Sequence, residues 1–142
     1  MDVRLGAISN CTAQSFSDLL NDETERLLSG IPKSARHWGV ARKSLNIFLR
    51  GATYNWHLRS EYRLSRVESW LELPLDSLTA KRLKEDSLKH PLPRWKGVKY
   101  LSHADSDLFQ ARAHEIAKAK KIPRIHLDVF FWVNRQENGS EP

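Results

Sequence analysis

Two side chains in this 142-residue chain have the chemistry to act on a substrate. Lys43 lies in the run Trp38-Gly39-Val40-Ala41-Arg42-Lys43-Ser44-Leu45-Asn46-Ile47-Phe48-Leu49-Arg50. Asp76 lies in Leu73-Pro74-Leu75-Asp76-Ser77-Leu78-Thr79-Ala80. A lysine amine can attack an electrophilic carbon such as that of a sugar, and an aspartate beside it can prepare the attack and stabilise the charge that develops. The amine must be neutral to attack. At the ordinary lysine pKa of about 10.4, roughly one amine in 2,500 is neutral at pH 7. A reacting lysine therefore needs apolar walls or a neighbouring cation, and Arg42 is such a cation. A carboxylate favours the ammonium, so Asp76 cannot supply that shift. We expect Lys43 in a dry cleft between two helical halves.

Both residues also have plain structural roles. Lys43 follows Ala41 by two positions, about 200° round a helix, away from the apolar stripe. Aspartate is favoured at helix N-caps for reasons worth ~1 kcal/mol.

The elements that must position these residues read as helices. Phe16, Leu19, Leu20, Leu27 and Leu28 predict a first helix over 15–28, capped by Ser15 or Ser17 and stopped at Gly30. Trp38, Ala41, Leu45, Phe48, Leu49, Ala52 and Trp56 form one stripe and predict a second over 36–58. Arg50 falls on the same side as Lys43. Ser65-Arg66-Val67-Glu68 has the form of a capping box and predicts a short helix over 65–71, broken by Pro74. Asp76 then opens a helix over 76–85. Residues 86–104 read as a loop, and 105–121 as a longer helix with Leu108, Phe109, Ala113, Ile116 and Ala117 inward. Val129, Phe130, Phe131, Trp132 and Val133 favour a strand by propensity. With no other strand to pair with, 124–134 is expected as a buried C-terminal helix with Asp128 in its first turn. The expected fold is an all-α, compact single-domain helical bundle over 1–142, with a flexible tail at 135–142.

Composition narrows the class. One domain fits this length and buries a core without disulfides or metals. Cys11 is the sole cysteine, so no internal disulfide forms and a reducing, intracellular setting is expected, cytoplasmic or nucleoid-associated. No Cys and His cluster has zinc-ligand spacing, and no metal or cofactor is expected. No apolar run approaches the ~20 residues of a membrane span, and Met1-Asp2-Val3-Arg4-Leu5 lacks a signal-peptide pattern. Lys and Arg exceed Asp and Glu by 23 to 17, a net +6. Residues 81–99 hold seven of the basic side chains against Glu85 and Asp86. With Pro91, Pro93 and Trp95 among them, that run suits a nucleic-acid backbone better than a merely solvated face.

Three segments together resemble a known family. Lys43-Ser44-Leu45-Asn46-Ile47-Phe48-Leu49-Arg50 is similar to the lysine helix of helix-hairpin-helix DNA glycosylases, above all the archaeal-type 8-oxoguanine glycosylases. Gly39-Val40-Ala41-Arg42-Lys43-Ser44 resembles the Gly-Val-Gly-Arg-Lys-Thr run of bifunctional members. Leu73-Pro74-Leu75-Asp76-Ser77 is similar to the Pro-Val-Asp segment that carries the family's aspartate. His126-Leu127-Asp128-Val129-Phe130-Phe131-Trp132 resembles the Leu-Asp-apolar-apolar-Trp pattern near the archaeal-type C-terminus. The segments occur in the family's order within residues 36–132. The family's Leu-Pro-Gly-x-Gly hairpin is absent, His37-Trp38-Gly39-Val40-Ala41 standing in its place, and the N-terminal part is short.

The resemblance implies a helix-hairpin-helix glycosylase-like fold acting on double-stranded, damaged or modified DNA. The target base is flipped into a pocket at an unstacking cost of a few kcal/mol. Lys43 attacks C1′ and expels the base, Asp76 assists, and the Schiff base allows abasic-site lyase cleavage. Arg36, Arg42, Arg94, Lys96 and Lys99 are the expected phosphate contacts, with the N-terminus of the lysine helix. Trp38, Phe131 and Trp132 are the expected base-pocket aromatics. His37, His57, His90, His103, His114 and His126 show no catalytic spacing and are expected to be structural or on the surface. Two other readings stay open. One is the same fold recognising DNA or a lesion without cutting. The other is an unrelated small basic helical protein, such as a toxin-like RNase or an interaction domain, although no Arg-x-x-x-x-His pair is present. Five tryptophans in a reduced domain also leave room for an apolar face that pairs with a second copy.

Overall fold

The computed structural model describes residues 4–85 and 90–137. Among them are seven α-helices and no strand. The helices are α1 Leu5–Ile8, α2 Ala13–Gly30, α3 Trp38–Tyr54, α4 Trp56–Glu61, α5 Ser77–Glu85, α6 His103–Ala119 and α7 Leu127–Glu137. Short 3-10 turns at Lys33–Ala35, Leu64–Arg66, Glu68–Trp70, Val98–Tyr100 and Arg124–His126 join them.

Several helix ends differ from the sequence expectation. Thr12 caps α2, and Ser15 is its reciprocal partner three positions on. The helix runs through Gly30, and extended Ile31 ends it. The second helix stops at Tyr54, where Asn55 turns extended and its side chain caps α4 through the Leu58 N–H. Trp56 thereby leaves the apolar stripe and stands 76% exposed. No cap forms at Ser65. Residues 64–70 make two 3-10 turns instead, and Glu68 turns to other partners. Asp86 and Lys89 of the expected loop lie outside the described residues. The C-terminal helix forms, but only its inner edge is buried: Leu127 and Phe131 point inward, while Val129, Trp132 and Val133 are about half exposed. Leu127 and Phe131 are four apart and share one face. That helix reaches Glu137, so residues 135–137 of the expected tail are helical. Residues 138–142 lie outside the described residues.

Two apolar clusters form the interior. The first joins Leu5 and Ile8 of α1, Phe16 and Leu20 of α2, Leu45, Leu49 and Ala52 of α3, and Leu64, Val67, Leu71 and Ile125. The second joins Leu73 and Leu75 to Ala80 and Leu83 of α5, Phe109, Ala113, Ile116 and Ala117 of α6, and Leu127 and Phe131 of α7. Burying a side chain the size of Phe109 contributes about 1.5–3 kcal/mol.

Polar clamps tie the clusters together. Arg42 is 3% exposed, and its guanidinium pairs with Glu72 through Nε at 2.9 Å and Nη2 at 3.1 Å. It also donates to Thr24 at 2.7 Å and Asn21 at 2.9 Å and lies over the Trp38 ring. Gln110, 4% exposed, acts as a substitute strand for Leu73. It accepts from the Leu73 N–H at 3.0 Å and donates to the Leu73 carbonyl at 2.7 Å. Arg124 holds the Trp70 and Leu71 carbonyls at 3.0 and 2.9 Å. Gly39 lets α3 touch the Val98–Tyr100 turn: a Cβ there would meet the Val98 carbonyl oxygen at 2.2 Å.

Candidate functional site

At the seam between the clusters, α3, the start of α5 and α7 line an open-sided cavity of about 490 Å³. Its walls are Ile47, Arg50, Gly51 and Tyr54 from α3, Asp76, Leu78 and Thr79 from α5, and Asp128, Val129, Phe131 and Trp132 from α7. Each wall follows from local sequence. Positions 47, 50, 51 and 54 share one strip of α3. The extended Leu73–Leu75 segment, pinned by Gln110, delivers Asp76 to the N-cap of α5. There Asp76 accepts the Thr79 N–H at 2.8 Å, and its backbone carbonyl accepts the Ala80 N–H at 2.9 Å. Pro123 and the 3-10 turn after it aim α7 so that Phe131 and Trp132 straddle its inner and outer edges.

The cavity is apolar with three charges at its wall. Arg50 and Asp128 form an ion pair across it from α3 to α7. Asp128 also accepts the Val129 N–H at 2.8 Å. Asp76 is the third charge, and its second carboxylate oxygen takes no part in the N-cap bond.

Tyr54, about half exposed, links the rim to a part-buried chain of polar groups. Its Oη is 2.9 Å from Nδ1 of His126, and the two rings lie within 10° of parallel. His126 Nε2 is 2.7 Å from Glu68 Oε1, and Glu68 Oε2 is 2.7 Å from Arg59 Nη2. Burial pushes the Glu68 carboxyl up, but the hydrogen bonds from Arg59 and His126 outweigh it and hold the group below its ordinary value. Burial raises the Tyr54 phenol; Arg50 opposes this and Glu68 adds to it.

The expected site residues separate into groups. Asp76, Phe131 and Trp132 meet at the cavity. Lys43 is half buried on α3 but is not among the lining residues. It occupies the same strip one turn before Ile47, about 6 Å further along the axis. Helical side chains lean toward the N-terminus, away from the cavity in this case.

Arg42 does not face solvent: four of its five N–H groups are spent inside the protein. Arg36 is exposed but ties down the end of α2, donating to the Ile31 and Ser29 carbonyls. Arg94, Lys96 and Lys99 are exposed along the stretch around Gly97. Trp95, between them, turns inward, bonding Ser77 at 3.1 Å and meeting Phe109 edge-on. Trp38 stacks on His103 at 4.8 Å and packs on the second cluster, so it lines no part of the cavity.

Arg50, Tyr54, Asp128, His126 and Glu68 were not expected to act together. Arg50 and Asp128 carry a faint sequence signal, since each lies inside a segment that supports the family resemblance. The Tyr54–His126–Glu68 chain carries none. Its members are 72 and 58 positions apart and meet only through folding. His126, expected to be structural or on the surface, is part-buried and hydrogen-bonded on both sides.

Among the described residues no group of three or more His, Cys, Asp or Glu is placed to hold a metal ion. No described helix is long and apolar enough to cross a membrane. No protein-family model, no curated protein and no solved structure matches this chain.

Proposed function

We propose that the protein binds double-stranded DNA, takes an everted base into the cavity between α3, α5 and α7, and breaks its N-glycosidic bond. One observation carries this reading. The three segments that resemble the helix-hairpin-helix glycosylases are far apart in sequence, yet each contributes to the same cavity: Ile47 and Arg50 from the first, Asp76 from the second, Asp128, Phe131 and Trp132 from the third. Ligand cavities commonly fall in the 300–1,000 Å³ range, and aromatic walls with a few fixed polar groups suit a planar base. In this reading Asp76 stabilises the positive charge that develops on the sugar. Lys43 supplies the amine, reaching C1′ of a sugar that lies outside the cavity while its base lies within. Arg94, Lys96 and Lys99 hold phosphates. Some retained abasic-site lyase activity follows from the Schiff base.

The absence of Lys43 from the cavity wall favours a second reading, in which the same cavity recognises a base without excising it. Borohydride trapping on duplexes carrying 8-oxoguanine or an abasic site separates the two. Excision by lysine gives a covalent adduct that Lys43→Ala abolishes and Arg36→Ala retains. Salt-sensitive binding with neither adduct nor released base leaves recognition alone. Alanine at Arg94, Lys96 or Lys99 should each reduce the slope of log K against log salt by about 1. A chain that binds no duplex at low salt refutes both.

A further inference from the structure

We propose that Tyr54 is the proton-transfer residue of this cavity, with His126 and Glu68 as the relay behind it. The inference rests on base excision at the cavity argued above, but takes water rather than the Lys43 amine as the group that attacks C1′, because Lys43 leans away from the cavity that Tyr54 lines.

The hydrogen-bond directions follow from charge. Glu68 is held ionised by Arg59 and His126, so it can only accept. The His126 nitrogen 2.7 Å away, Nε2, must therefore carry a hydrogen. In the neutral ring Nδ1 carries the lone pair, and the Tyr54 hydroxyl 2.9 Å away is then the donor to it. With its hydrogen turned to His126, the Tyr54 oxygen keeps its lone pairs free, and Tyr54 is one of the residues that line the cavity.

This arrangement moves a proton without forming a phenolate. A water attacking C1′ passes one proton to Tyr54 Oη as Tyr54 passes its own to His126 Nδ1. The C1′–O bond forms, the C1′–N bond breaks, and its electron pair leaves with the base. His126 becomes an imidazolium beside the Glu68 carboxylate. The proton then returns through Tyr54 to the departed base. One water is consumed, and the enzyme ends as it began. The order of groups is that of a nucleophile–histidine–carboxylate triad, with tyrosine as a conduit in the first place.

The charged and titratable groups around His126 set the pH response. They are Tyr54 and Arg50 from α3, Glu68 from the Glu68–Trp70 turn, Arg59 from α4 through Glu68, and Arg124 and Asp128 beside it in sequence. The relay needs His126 neutral, so base release should fall once His126 is protonated.

The test is single-turnover release of base from an 8-oxoguanine duplex, with duplex binding followed separately by fluorescence anisotropy. Tyr54→Phe should lower the release rate by about 10²–10⁴-fold, the usual worth of positioned acid–base catalysis. Binding and helical circular dichroism should stay at wild-type levels. His126→Gln should remove the acidic limb of the pH–rate profile, a change that lost packing alone would not produce. Nitrogen-15 spectra of the wild-type protein supply a check that needs no variant: His126 should show a single Nε2–H tautomer. Release by wild type with an unchanged rate in Tyr54→Phe overturns the relay and leaves excision standing. A predominant Nδ1–H tautomer also overturns it. No release by wild type refutes excision, and the role of Tyr54 falls with it.

Discussion

Removing the Arg42 side chain should unfold much of this protein's margin of stability rather than weaken its grip on DNA. The Arg42 and Glu72 side chains are 4% and 11% exposed, so their pairing is screened little by water. Arg42→Ala leaves the Glu72 carboxylate with the Asn46 amide at 3.0 Å as its remaining side-chain donor. It also strips a partner from buried Thr24 and opens space beneath Trp38. Truncating one member of a buried pair costs about 3–5 kcal/mol, and a domain of this size has about 5–15 kcal/mol in all. Urea unfolding followed by helical circular dichroism should show that loss as a lower midpoint with an unchanged slope. Arg42→Met with Glu72→Leu should be less destabilised than Arg42→Met alone, because no unpaired charge remains buried. For folded protein, the salt dependence of DNA binding should not change. A loss below about 1 kcal/mol, or a fully additive double variant, would refute the buried-pair account.

Three further outcomes follow from the same structure. Gln110→Leu leaves the Leu73 N–H and carbonyl unpaired in the interior, at about 1–3 kcal/mol each, and thermal unfolding should register it. The segment it frees carries Asp76, so activity or base recognition should fall with stability. Gly39→Ala forces a Cβ against the Val98 carbonyl and should cost about 1–3 kcal/mol or more, measured by urea unfolding; a neutral result would mean that the Val98–Tyr100 turn yields freely. Glu68 supplies the pH dependence. Its carboxyl is lowered in the folded protein, so its contribution is fully present above the ordinary glutamate range and is lost as pH falls through the lowered value. Glu68→Gln should therefore be less stable than wild type at neutral pH, with the gap closing as pH falls below the ordinary glutamate range in a melting series.

Helical periodicity carried much of the architecture. The stripe of Ala41, Leu45, Leu49 and Ala52 is the buried face of α3, as its spacing requires. Asp76 at an N-cap was readable because the cap is a local hydrogen bond three residues long. Caps that depend on the approach of other segments were not. Ser65 lost its capping role once Leu64 and Val67 were drawn into the first cluster and residues 64–70 tightened into 3-10 turns. Trp56 left the stripe because α3 ends at Tyr54, short of the expected 58, and Asn55 caps a separate helix there.

The candidate site divides along the same line. Residue types and their order marked Lys43, Asp76, Phe131 and Trp132, and net charge marked the stretch holding Arg94, Lys96 and Lys99. Those properties are written in the chain itself. Which of them share a cavity depended on the pitch of α3, the clamp of Gln110 on Leu73 and the angle at which α7 leaves Pro123. Tertiary structure also turned Arg42 and Trp95 inward, and it brought Tyr54, His126 and Glu68 into line from three separate parts of the chain. The physical reason is one of range. Helix, cap and charge are local properties, set within a few residues. A cavity and a relay are products of packing, and packing is decided by side chains that no short stretch of sequence contains together.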